Sequence, residues 1–270
     1  MTNATAIPSF EQITSWKPLG DQRYEGLIHP EWTQGRGAYG GILAASAVRA
    51  MKAAVAPERE LRHIDVRFMG AVLPDEPAVM SVTLERESKR ISHLRAVIAQ
   101  SGGNACAVGA TFATARESKV TIEAPTRPEG IPSPEAIRDM PYIKGVVPAA
   151  IQHMDMRWTS GLPFSGSGEA VCEGWCTFRN GVEDGAVGIV GLLDAFPPPV
   201  LPMLKRPAPA SSVTWSAQLA HLPERFPEGY FFYRSRAVDS RDGYVRMRAE
   251  MWLPDGRLCA STEQLMAVYA

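Results

Sequence analysis

The sequence predicts an α+β chain in which one architecture occurs twice: a single apolar helix enclosed by an antiparallel β-sheet. Three observations carry this. There are two sets of four strand-length runs, one helical stretch before each set, and a faint internal repeat at a spacing of 153 residues. In the first half, 63–69 alternates, with Ile64, Val66 and Phe68 on one face and His63, Asp65 and Arg67 on the other. Runs 79–88, 93–100 and 105–113 follow, and the second half repeats the order with 212–222, 229–238, 243–253 and 257–269. The helical stretches are 41–56 and about 187–196. The first carries charge only at Arg49 and Lys52, and a helix apolar on most sides must be enclosed.

Placing each residue on the one 153 positions later superposes Arg95, Ala96, Gly103, Cys106 and Ala107 on Arg248, Ala249, Gly256, Cys259 and Ala260. In that register Gly41 stands opposite Asp194, and Thr111 opposite Gln264. A helix wrapped by an antiparallel sheet, twice over, is the double hotdog. The expected organisation is a first hotdog over 1–118, a Pro-rich connector over 119–150 and a second hotdog over 151–270, because prolines at this density break helices and central strands.

Composition narrows the function. Lys plus Arg is 28 and Asp plus Glu is 29, and that balance argues against nucleic-acid binding, which needs a basic excess. No apolar run reaches the roughly 20 residues of a membrane span. The first residues, MTNATAIPSFEQ, have neither a basic region nor an apolar one, so a cytoplasmic location is expected. Four scattered cysteines and five histidines without an HExxH or HxxxH spacing point to no disulfide scaffold, no metal and no cofactor.

Several residues stand out chemically. Gly35-Arg-Gly-Ala-Tyr-Gly40 fits GxGxxG and opens a helix, but it follows a polar, proline-containing stretch rather than a buried parallel strand, which disfavours a dinucleotide site. It reads either as a tight turn or as amide N–H groups, at Gly40 and Gly41, placed to polarise a carbonyl oxygen. Asp194 is the one ionisable side chain between Asp184 and Lys205. A carboxylate in such surroundings either caps the helix end towards solvent or is buried for a task. Period two puts Gln264 with Leu258, Ala260, Thr262, Met266 and Val268, so its amide points to the core, as a satisfied structural glutamine or a functional one. Ser212, Thr214, Ser216 and Gln218 form a small polar face. Arg86, Lys89, Arg90 and Arg95, interleaved with Glu85 and Glu87, make a solvated hairpin or a contact for a phosphorylated ligand.

The strings Gly37-Ala-Tyr-Gly-Gly-Ile-Leu-Ala, Leu192-Leu-Asp-Ala-Phe-Pro-Pro-Pro and Asp255-Gly-Arg-Leu-Cys-Ala-Ser-Thr-Glu-Gln264 resemble those of the acyl-CoA thioesterase II (TesB-like) double-hotdog thioesterases. The resemblance runs from about Tyr24 to Tyr269. It implies hydrolysis of a fatty or related acyl-CoA by a water held between an Asp, a Thr and a Gln. Asp194 and Gln264 match two of these, and Ser212 falls where the Thr is expected, with Ser211 and Thr214 as substitutes if the register slips. It also implies a weak site for coenzyme A at Arg86, Lys89 and Arg90 and association into a dimer or larger homo-oligomer. The 153-residue register, with Gly41 and Thr111 opposite Asp194 and Gln264, leaves the first half without these groups and implies one site per chain. A non-catalytic acyl-CoA-binding protein and a hotdog enoyl-CoA hydratase are the alternatives; the second needs a histidine beside the acid, and none lies near Asp194 in sequence.

Overall fold

The computed structural model describes residues 6–220 and 222–270; residues 1–5 and His221, near the end of the expected strand 212–222, lie outside it. Helix α1 (Phe10–Thr14) starts from a Ser9/Gln12 capping box and is followed by strands β1 (Lys17–Gly20) and β2 (Arg23–Leu27). A two-residue ribbon, β3 (Thr33–Gln34) and β4 (Gly37–Ala38), leads into α2 (Gly40–Ala53). Strands β5 (Glu60–Phe68), β6 (Pro77–Glu87), β7 (Ile91–Gln100) and β8 (Gly103–Ala113) complete the first half. The second half runs β9 (Met154–Ser160), β10 (Val171–Phe178) and α3 (Gly185–Leu193). It ends with β11 (Ala210–Leu219), β12 (Phe231–Arg241), β13 (Tyr244–Trp252) and β14 (Leu258–Val268). Among the described residues no helix is long and apolar enough to cross a membrane.

Twelve of these strands form one antiparallel sheet, in the order β1-β2-β6-β7-β8-β5-β11-β14-β13-β12-β10-β9. Read from the β5–β11 seam outwards, each side presents the same succession of strands, so the repeat is a pseudo-two-fold about that seam. The ladders correct the ungapped register. Ala96 pairs with Val108 and Ala249 with Thr262, so Val108 is the counterpart of Thr262, and Ala110, rather than Thr111, is the counterpart of Gln264. Gly41 is likewise no counterpart of Asp194: it is the second residue of α2, whereas Asp194 follows the last residue of α3.

Both helices pack inside the sheet. The two charges of α2 are used at its flank: Arg49 bonds Glu11 and Thr14, and Lys52 bonds Asp184, the N-cap of α3. The helices themselves approach to backbone contact, because a Cβ on Gly41 would meet the Gly191 carbonyl oxygen and the Tyr39 ring. On the outer face, the connector lies as a strap over the second half. Trp175 and Trp252 donate their indole N–H groups to the carbonyls of Pro132 (2.9 Å) and Pro125 (3.1 Å). The Arg127 guanidinium sits 4.8 Å from the Trp175 ring centre. These tryptophans, with Phe232 and Leu258, form a second apolar cluster beneath Ala124, Ile131 and Ile137.

Leu258 therefore departs from its expected face. A register shift between Met251 and Trp252 puts it on the outer side, while Ala260, Thr262, Gln264 and Met266 stay inside.

Gly41→Ala should lower the unfolding free energy by about 1–3 kcal/mol, since a backbone carbonyl cannot move aside as a side-chain end can. Gly102→Ala, which enters open space, should stay within about 0.5 kcal/mol of wild type. Urea unfolding of the two variants side by side measures both.

Candidate active site

Helix α3 is buried along its whole length and ends at Asp194, whose φ of −96° and ψ of 7° take the chain out of the helix. Pro197, Pro198 and Pro199 then prevent its continuation. The carboxylate is left 9% exposed, at the C-terminal end of its own helix and beside the N-terminal turn of α2. At Oδ1 it accepts the Nε2 N–H of Gln264 at 3.3 Å, and the Gly41 backbone N–H is turned toward it and favours its charged form. Its Oδ2 lies 2.6 Å from where a Cβ on Gly40 would stand, and the Phe68 ring lies 2.9 Å from the same point.

Gln264 is held from behind. It lies on the inner face of β14, opposite Trp215 of β11, and is 5% exposed. The Ser212 hydroxyl donates to its Oε1 at 2.9 Å. Period two would put Ser212 on the outer face with Thr214, Ser216 and Gln218. A register shift between Ser212 and Thr214 turns it inward instead, so that it pairs with Met266 and reaches the amide. The bulge thus selects Ser212 over Ser211 and Thr214. The result is a directional chain: Ser212 O–H to Gln264 carbonyl, Gln264 N–H to Asp194.

Burial is the largest influence on Asp194 and pushes its carboxyl up to about 7; the Gln264 and Gly41 hydrogen bonds pull the other way without restoring the ordinary value. Tyr39, fully buried, donates its hydroxyl to the Gly191 carbonyl at 2.7 Å. Burial first, and the Asp194 charge second, raise that hydroxyl well above the ordinary tyrosine value. Two residues beyond the acid, Phe196 stacks on Tyr233 (centroids 4.7 Å apart, 5° between planes) and packs against Trp158, forming an aromatic wall. Sequence reasoning does not single out Tyr39, Phe68, Phe196 or Tyr233, because aromatic residues in apolar runs read as core.

Gly40 and Gly41 join the site: the Gly41 N–H is turned toward Asp194, and a Cβ on Gly40 would meet its Oδ2. The basic cluster is not brought here. Arg86, Lys89 and Arg90 are exposed on the β6–β7 hairpin, at the Glu60 end of β5, whereas Phe68 marks the site at the other end. Eight residues of strand at roughly 3.3 Å each separate them by about 26 Å. Arg95 is paired with Glu85 at 3.0 Å. Two grooves of about 390 and 380 Å³ open on the outer face of the sheet, and neither is lined by Asp194 or Ser212.

The glycine-rich string is a turn: Gly35 has φ of +63° between β3 and β4, and the parallel strand a dinucleotide site needs is absent among the described residues. His153 stacks on Trp32 and Asp155 bonds Arg157 and Tyr230, so neither faces Asp194. No group of three or more His, Cys, Asp or Glu side chains converges as metal ligands among the described residues.

Residues 28–115 match the profile of the acyl-CoA thioesterase N-terminal domain, and residues 128–268 that of the acyl-CoA thioesterase C-terminal domain. Among solved structures, a hot dog fold protein of unknown function from Alicyclobacillus acidocaldarius superposes with a TM-score of 0.83 at 25% identity, covering 97% of this chain and 98% of its own. The tesB protein of Mycobacterium avium subspecies paratuberculosis gives 0.80 at 17% identity, covering 97% and 98%. The acyl-CoA thioesterase II TesB2 of Mycobacterium marinum gives 0.77 at 16% identity, covering 97% and 99%. These last two likenesses speak for the fold. Among curated proteins no match is found.

A carboxyl raised in the folded state stabilises the protein below its unfolded value and withdraws that stability as pH rises to its folded value of about 7. The full span corresponds to on the order of 4 kcal/mol. Asp194→Asn should therefore gain several kcal/mol relative to wild type between pH 4 and pH 8, with the difference flat at higher pH. Chemical unfolding of both proteins across that range reads it directly.

Proposed function

We propose that this chain, which belongs to the acyl-CoA thioesterase family and is a thioester hydrolase, cleaves a fatty or related acyl-CoA with a water that Asp194 deprotonates. The observation that carries this reading is the buried carboxylate aligned by Gln264, whose amide is anchored in turn by Ser212. An ordinary carboxylate is a feeble base at pH 7, whereas one tuned upward combines a useful ionised fraction with real proton affinity.

The water sits between Asp194 Oδ2 and the Ser212 oxygen. Gln264 occupies Asp194 Oδ1, which leaves Oδ2 to take the proton. Ser212, having donated its own hydrogen to Gln264, can accept one from the water and so fix the direction of attack. The water oxygen bonds the thioester carbon as its proton passes to Asp194, and the carbonyl oxygen becomes an oxyanion. The first amide of α2, at Gly40, together with the positive end of that helix, receives this charge now that Gly41 is committed to the acid. Collapse re-forms the carbonyl and breaks the carbon–sulfur bond. The departing thiolate takes the proton from Asp194, so acid and coenzyme A leave with the carboxylate regenerated.

The structure of the first half supports one site per chain. Ala110 is the counterpart of Gln264, and Ala54 ends α2 where Asp194 ends α3.

Asp194→Asn should reduce kcat for saturated acyl-CoA by about 10²–10⁴-fold, followed by thiol release with a thiol-reactive dye. Equal, slow release by wild type and variant would instead favour a protein that binds acyl-CoA without turnover. In wild type, kcat/KM should rise with pH through an acid limb at about 7. Ser212→Ala removes one neutral hydrogen bond to Gln264 and should cost about tenfold in kcat. Ser212→Thr, which keeps the hydroxyl and restricts its rotamer, should match or exceed wild type in the same assay.

A further inference from the structure

We infer that Tyr39 is a positioning residue for Asp194: its hydroxyl, given to the Gly191 carbonyl, locks the last turn of α3 against the first turn of α2. This rests on Asp194 being the base.

Tyr39 occupies the N-cap of α2, where Ser, Thr, Asp or Asn ordinarily accepts a hydrogen bond from the first turn. Here the side chain makes no such bond. It reaches across to the other half of the chain and donates to Gly191 at 2.7 Å, with the ring fully buried. Gly191 lies three residues before Asp194, in the turn whose carbonyls have no partner within the helix. The amide that a continuing helix would have given it, that of Ala195, bonds Leu192 instead. The hydroxyl thus satisfies a carbonyl left open where the helix stops.

The same tyrosine stands two residues before Gly41, whose Cα faces the Gly191 carbonyl and whose N–H is turned toward the acid. One side chain therefore ties together the helix end that carries the acid and the helix end that faces it. No side chain on Gly41 or Gly40 interferes, since a Cβ on the first would meet Gly191 and Tyr39, and on the second Asp194 and Phe68. Without the hydroxyl, the negative end of the Gly191 carbonyl is unscreened close to the carboxylate, and the two helix ends are free to shift. The first effect disfavours the ionised acid; the second loosens its aim.

Tyr39→Phe removes one oxygen and keeps the ring that fills the core. In thiol-release assays against a saturated acyl-CoA we expect kcat at pH 7 to fall about tenfold, with KM within about twofold. The acid limb of kcat should move upward by about half a pH unit or more, so that part of the loss is recovered at pH 9. A lowered melting temperature with the acid limb unmoved would overturn the inference, leaving the bond a structural one. A second measurement needs no turnover: the fall in unfolding free energy between pH 5 and pH 8 should extend to higher pH in Tyr39→Phe than in wild type. Introduced into Asp194→Asn, the same substitution should leave no such pH dependence; if the pH dependence is the same in all backgrounds, the inference fails. Failure of the underlying reading looks different, for then Asp194→Asn alone turns over like wild type.

Discussion

A carboxylate is buried where two helix ends meet, and among the described residues no cation accompanies it. Its compensation comes from dipoles alone: one amide N–H from the opposite helix and one from a glutamine side chain. Transferring an ionised carboxylate out of water costs several kcal/mol even when such bonds form. Much of the local sequence follows from that constraint. Gly41 lets backbone approach backbone, Gly40 leaves room for the carboxylate and the Phe68 ring, and Gly191 leaves room for the Phe10 ring. The apolar run from Ala186 to Leu193 delivers the acid to the crossing without a competing charge. The helix ends act in opposition. The C-terminal end of α3 disfavours negative charge, while the N-terminal end of α2 favours it. Burial outweighs both, and against the opposing Gln264 and Gly41 groups it brings the carboxyl to about 7.

That arrangement needs both halves of the duplication and uses them unequally. The acid, the glutamine and the serine come from the second half; the amide that holds the acid, and the tyrosine behind it, come from the first. The pseudo-two-fold about the β5–β11 seam brings α2 and α3 together, so the site is a product of the tandem fold. The symmetry-related position carries neither group: Ala110 has no amide to offer, and α2 ends at Ala54.

How much of this was legible depended on whether a signal survives locally. The alternating strands of the two sets of four were readable because one face is apolar and the other polar, as in β13, where Val245, Met247, Ala249 and Met251 are all buried. Strand β10 was not, because Trp175 is buried on the outer cluster while Cys172 and Cys176 are buried on the inner, which erases the alternation. Strand β1, four exposed residues with a proline, carries no pattern at all. Asp194 was conspicuous as a lone charge in an apolar stretch. Its partners were harder to see, since a bulge decides the side on which Ser212 falls, and no periodicity anticipates a bulge. In the sequence the strap reads as a mere connector: proline density forecasts the loss of regular structure but not that two tryptophans hold its carbonyls.

The balance at Asp194 also explains why the site is built of neutral groups. An arginine or lysine beside the acid would satisfy it more strongly and would lower its proton affinity by the same interaction. It would then be ionised at neutral pH and nearly useless as a base. Hydrogen bonds from an amide and a backbone N–H orient the carboxylate at a smaller electrostatic effect, so direction is gained while basicity is kept. A glutamine does this better than a charged donor, because its other end can be anchored by a hydroxyl without adding a charge. The chain from Ser212 through Gln264 to Asp194 is one in which each donor is neutral and each acceptor is fixed by the group before it. Stability is surrendered at one buried position, and the carboxylate is held there in one direction beside the close helix contact of Gly41 with Gly191.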